Sequence, residues 1–231
     1  AAAAHAGGLG GMTAAQWHGL AGITARLTEQ MAALRLLALT PLPMPAMQIA
    51  RALSEDVDTA LVLLIRPRLA ARLAECRTAE DATDFWRRHI AGGRAFKAIS
   101  ERLYSVGIDH SADTDYARWR KSVLTVLGTA VHGNLLDTTA RLSPRDKAAM
   151  SDDSLYFATF RIHELCAYAQ LVTPGLTDLL DRAGRASPGG LVPLAAPLCT
   201  ILVAQIRSLT GIPEDQLRPA PADTDTGRDT A

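Results

Sequence analysis

Lysine, aromatic residues and cysteine are scarce in this chain, and no stretch alternates apolar and polar residues as a half-buried strand does. Lysine stands only at 97, 121 and 147, so arginine carries most of the positive charge. With the alanine excess, this reads as the coding bias of a high-G+C bacterial genome. Aromatics make up 5% of the residues, which leaves Ala, Leu and Val to build a core. An excess of either charge is also missing, since 24 basic residues balance 24 acidic ones. That balance removes any whole-chain drive toward nucleic acid or an anionic membrane, and neither is an expected partner. Cys76, Cys166 and Cys199 are far apart, odd in number and in no metal-binding spacing. They read as buried reduced thiols, which points to the cytoplasm.

The signatures of catalysis are missing as well. Glu-x-x-His, the mark of di-iron bundles, does not occur: three residues before His89, His132 and His163 stand Trp86, Thr129 and Phe160. His-Glu-x-x-His, Gly-x-Ser-x-Gly and a phosphate loop ending in Gly-Lys-Ser/Thr are absent too. No metal and no cofactor is implied. A metalloenzyme, an α/β-hydrolase or a nucleotide hydrolase finds no support.

What the chain has throughout is helical periodicity, with apolar residues every three to four positions between Pro, Gly, Ser and Asp breaks. The fold class is therefore all-α: a single bundle of about seven or eight mostly antiparallel helices over 13–211, after a flexible leader (1–12) and before a disordered tail (212–231). Thr13 caps a first helix to about Leu39, whose stripe is Trp17, Leu20, Ile23, Leu27, Met31, Leu34 and Leu37. Pro41, Pro43 and Pro45 end it, and Pro45 suits the first turn of a second helix, with Ile49, Leu53, Val57, Ala60, Leu61 and Leu64 facing inward. Pro67 ends or kinks it, and 69–77 continue as a shorter helix.

Thr78 and Asp81 resemble a capping box before a helix with Phe85, Trp86, His89, Ile90, Phe96, Ile99 and Leu103 on one side, interrupted at Gly92-Gly93. Asp109 to Asp113 form a polar break. A fifth helix runs from about 114 to 141, Ser143-Pro144 start a short turn, and Ser151 or Asp153 caps a helix to Val172. A short amphipathic helix ends near Gly184. The uncharged stretch Ser187 to Ile206 nears spanning length, but Gly189, Gly190, Pro193 and Pro197 mark it as a core helix, over about 191–210, and no membrane association is expected.

One polar constellation stands out. Arg51, Glu55 and Asp58 follow at spacings of four and three, a polar line beside the apolar stripe. On the fifth helix His132 sits one turn after Gly128, with Asn134 and Asp137 beyond, and Arg161, His163, Glu164 and Tyr168 crowd two turns of the sixth. Where these helices meet, Arg51, Glu55, Asp58, His132 and Arg161 would line an internal polar pocket for a small ligand. The plainer reading makes Arg51–Glu55 and Arg161–Glu164 helix-surface pairs and His132 a core histidine. Arg87, Arg88, Arg94, Lys97 and Arg102 form a basic stretch, but Glu80, Asp81, Asp84 and Glu101 flank it, so it reads as a solvated mixed-charge face.

A helix with Arg-x-x-x-Glu (Arg51, Glu55), an aromatic-rich helix and a later Ala130-Val131-His132-Gly133 element resemble uncharacterised bacterial helical proteins grouped near the nucleotide-binding HEPN families, over the central two thirds of the chain. Catalytic members of that group carry an Arg and a His with four to six residues between them. Positions 125 to 127, before His132, are Thr, Val and Leu, so RNase activity is not implied. The expected function is a non-catalytic binding module for a small ligand or nucleotide. The alternatives are a homodimer through Ala- and Leu-rich helices, a sensor domain of a regulator, and last an enzyme acting on nucleotides or RNA with His132 as base.

Overall fold

Helix starts fall where side chains can take up the first unpaired N–H groups. The computed structural model describes residues 11–131 and 141–173, and within them places seven helices and no strand. These are α1 (Ala14–Ala38), α2 (Pro43–Ile65), α3 (Pro67–Glu75), α4 (Ala79–His89), α5 (Arg94–Tyr104), α6 (Asp115–Val131) and α7 (Pro144–Val172). Thr13 and Gln16 form a capping box at α1, and Thr78 and Asp81 form one at α4. Thr114 accepts the Ala117 N–H at α6, and Ser143 accepts the Asp146 N–H at α7.

Helix α2 is the axis of the bundle, packing against α1, α3, α5, α6 and α7. Its run Ala60 to Leu64 is buried on every side, which explains why that stretch is apolar throughout instead of striped. Leu34 of α1, Leu53 of α2, Leu103 of α5 and Ala158 of α7 share the core with it. Met12, at the end of the expected leader, is buried in the same core.

The end of α2 depends on a partner from another helix. Pro67 has no N–H, so the Leu63 carbonyl four residues earlier loses its ordinary donor. Gln16, itself buried, supplies one: its Nε2 donates to the Leu63 and Leu64 carbonyls at 2.9 Å each. The same side chain's Oε1 accepts the Thr13 N–H at 2.9 Å. Gln16→Leu leaves two buried carbonyls bare and undoes the cap, and is expected to cost about 2–4 kcal/mol in a urea titration.

Several expectations are corrected. Pro43, read as part of the break after the first helix, opens α2, and Pro45 stands in its first turn as expected. The Ser143-Pro144 turn and the following helix are one continuous α7, because no breaker separates them; the Ser151 hydroxyl bonds the Lys147 carbonyl inside the helix and caps nothing. Trp86 faces outward, 43% exposed, although the aromatic stripe placed it inside. Cys166 is exposed and Cys76 half-buried, where both had been expected in the interior. Gly92 and Gly93 take positive φ of 65° and 77°, so the interruption there is a full turn between two helices. Among the described residues no helix is long and apolar enough to cross a membrane. The leader up to Gly10, the helix ending near Gly184, the helix over 191–210, the tail, Cys199 and His132 lie outside the described residues.

Candidate functional site

The polar line of α2 marks the passage from solvent to core. Arg51 and Glu55, both partly exposed, pair at 2.9 Å. A pair so open to water adds only a few tenths of a kcal/mol. Asp58, one turn further along, is buried and meets two arginines from other helices. Its Oδ1 accepts from Arg161 Nη2 of α7 at 2.5 Å, and its Oδ2 accepts from Arg120 Nη2 of α6. The other terminal nitrogen of Arg161 donates to Glu164 Oε2 and to the Tyr116 hydroxyl, the latter at 3.1 Å.

Two cations and two carboxylates thus balance inside the bundle, with Arg161 only 1% exposed and Glu164 fully covered. Burial alone is expensive for each charge, and the arrangement stands because each has an opposite partner. Burial opposes the Arg161 charge, but Glu164 and Asp58 more than offset it and hold the guanidinium protonated. Burial likewise pushes Glu164 up, with Arg161 pulling the other way. The Arg161–Glu164 pair is therefore an interior pair and not the surface pair of the plainer reading.

Aromatic rings enclose this quartet. His110 lies 3.8 Å from Tyr116, centroid to centroid and nearly parallel, and the Arg120 guanidinium carbon sits 3.8 Å over the Phe96 ring. The Asp109 carbonyl can only accept, so His110 Nδ1–H donates to it at 3.0 Å. His110 Nε2 then accepts from the Tyr168 hydroxyl at 2.7 Å. Burial first, and then repulsion from Arg161 and Arg120, push the His110 imidazole down to about 4, so it is neutral at pH 7.

In front of the quartet opens a cleft of about 490 Å³ between α2, α6 and the turn from α4 to α5. Arg51, Glu55, Asp58 and Arg120 supply its charge, while Trp86, Ile90, Leu124 and Val131 supply apolar wall. Gly92 and Gly93 present bare backbone to it; a Cβ at Gly93 would meet nothing within 4 Å, so conformation and not crowding requires glycine there. Arg120 Nε is buried without a hydrogen-bond partner among the described residues.

Of the residues picked out from sequence, Arg51, Glu55 and Asp58 share this cleft, and Arg161 grips Asp58 from behind without lining it. His132 follows the lining residue Val131 but lies outside the described residues. Two residues escaped the sequence reading. Arg120 falls four positions after the inward-facing Tyr116 and seven before the inward-facing Leu127, so the helical period does place it on the buried face. His110 sits in a polar break with no period to reveal it, yet is 3% exposed.

Chemically the cleft offers alternating charges that sum to zero, donors and acceptors side by side, and one large aromatic face. Among the described residues no group of His, Cys, Asp and Glu is placed to hold a metal ion. Comparison of the chain with family models, with curated proteins and with solved structures gives no match.

Proposed function

We propose that this chain is a helical binding module whose cleft beside Asp58 takes a small polar ligand with a flat apolar part, of nucleoside, nucleotide or amino-acid type. The observation that carries the reading is the pairing, in one concave site, of two balanced ion pairs with the exposed Trp86 ring. A neutral set of charges gives a polyanion no net attraction, but rewards a ligand with its own donors and acceptors. The indole face adds stacking for a planar group. The resemblance to uncharacterised helical proteins grouped near the nucleotide-binding HEPN families agrees with this ligand class. A cytoplasmic setting belongs to the same reading.

Thermal denaturation with nucleobases, nucleosides, nucleotides and amino acids tests it. A ligand at about a hundred times its Kd stabilises by about 2.7 kcal/mol, a shift of several degrees. Glu55→Gln and Trp86→Ala alter partly exposed side chains, so both variants are expected to fold and to lose that shift. Equal shifts in wild type and both variants place the ligand elsewhere.

A second reading, a homodimer, draws on Leu36, Leu39 and Leu42, which are 69%, 83% and 50% exposed around the α1–α2 turn. Sedimentation checks it: a dimer that Leu39→Glu dissociates supports the reading, and a monomer at every concentration removes it.

A further inference from the structure

We infer that a second cleft, between α3 and the end of α4, binds a compact phosphoryl anion, with Arg66, Arg68 and Arg72 as its ligands. This cleft, of about 570 Å³, is lined by those three arginines with Pro67, Leu69 and His89, and among the described residues by no carboxylate.

Three cations of the neighbouring basic stretch are already committed: Arg87 and Arg88 share Asp84, and Arg94 Nη1 donates to the Arg87 and Ala91 carbonyls. Arg68 and Arg72 have no ion pair among the described residues, and Arg66 has only a 3.9 Å approach to Glu101 between two exposed side chains. Arg68 and Arg72 stand four apart on one helix, a spacing at which like charges repel. The first turn of α3 begins in the same cleft at Pro67 and adds the positive end of its dipole.

Each of these choices costs stability unless an anion offsets it. Guanidinium groups also match phosphoryl oxygens two at a time. His89, in the cleft wall, feels the same excess: burial first, then Arg72, Arg88, Arg66 and Arg94, hold its imidazole below the ordinary value.

The anion is compact and not a nucleic-acid strand, because the positive field stops short. The adjoining hollow, which shares Arg72 and His89, carries Glu75, Asp81 and Asp84, and these would repel a phosphate chain running on from the cleft. The site differs in residues and in charge from the neutral cleft beside Asp58, so either can fail without the other.

Calorimetric titration with pyrophosphate, with a single-stranded RNA 12-mer as the second arm, tests the assignment. Wild type is expected to bind pyrophosphate, and Arg68→Gln/Arg72→Gln to lose about tenfold or more, while Arg35→Gln, at the far end of α1, changes nothing. The exchanged side chains are exposed, so an unchanged melting temperature without anion confirms that the double variant folds. Bound pyrophosphate should also let His89 titrate at higher pH, since it cancels the repulsion from the four arginines while Glu75, Asp81 and Asp84 stay as they are. Three results would each overturn the assignment: no pyrophosphate binding, binding that the double variant retains, or RNA binding without pyrophosphate binding. An unmoved His89 in the bound state would do the same.

Discussion

Arg161→Met is expected to destabilise the protein by about 3–5 kcal/mol, the loss seen when one partner of a buried ion pair is removed. Methionine replaces most of the side-chain volume, so the effect is electrostatic. Asp58 keeps only Arg120, and Glu164, with no exposed surface, keeps only the Tyr116 hydroxyl as a donor, since Tyr168 gives its hydrogen to His110. The sign of the charge account is checked by a second change. In the Arg161→Met background, Glu164→Gln restores a one-to-one balance between Arg120 and Asp58. Part of the lost stability should therefore return, although removing another hydrogen-bond acceptor would ordinarily cost more. Chemical denaturation of the single and double variants reads this directly. A double variant less stable than Arg161→Met would mean that packing, and not charge, governs the quartet.

Acid should weaken the fold through His110. Its imidazole is held down to about 4 in the folded protein and returns to its ordinary value near 6.5 on unfolding. Below about pH 6.5 the unfolded chain therefore binds a proton that the folded one refuses. Stability from this group is complete above that value, falls as the pH drops, and is lost in full once the pH is below about 4. Over that window the loss reaches about 3 kcal/mol. Asp56 and Glu164, whose carboxyls burial pushes up, act in the opposite sense: the folded form holds their protons more tightly, so they oppose part of the loss. His89 and His163, whose imidazoles burial also holds down, add to the fall from about pH 6.5 to 5, so the His110 share is the difference between wild type and His110→Gln over that range. Urea unfolding at these two pH values should give a clear drop for wild type and a shallower one for His110→Gln. Equal slopes would show that His110 does not set the acid response.

The helices were legible in the sequence because their ends depend on local chemistry: Thr13 with Gln16, Thr78 with Asp81, and Gly92-Gly93 act within a few residues. The continuity of α7 was misread because Ser151 and Asp153 favour caps in isolation, whereas burial of Ser151 and its bond to the Lys147 carbonyl hold it within a helix. The polar line Arg51, Glu55 and Asp58 was legible from spacing alone. What spacing does not carry is partnership across the bundle. Asp58 meets Arg120 and Arg161, 62 and 103 residues away, and nothing local distinguishes Arg120 from the exposed arginines around it except its place on the apolar face. Trp86 shows the converse: a large aromatic at core spacing stands at the mouth of a cleft, where packing reasoning had no use for it.

Amide and indole NMR during titration with a ligand found by thermal denaturation tests the binding account most directly. The account predicts that the Trp86 Nε1–H and the Gly92 and Gly93 amides move together and saturate at one concentration. Leu36, Leu39 and the α3 amides should stay in place. Shifts confined to any other face of the bundle, with Trp86 and the glycine turn unmoved, would contradict it.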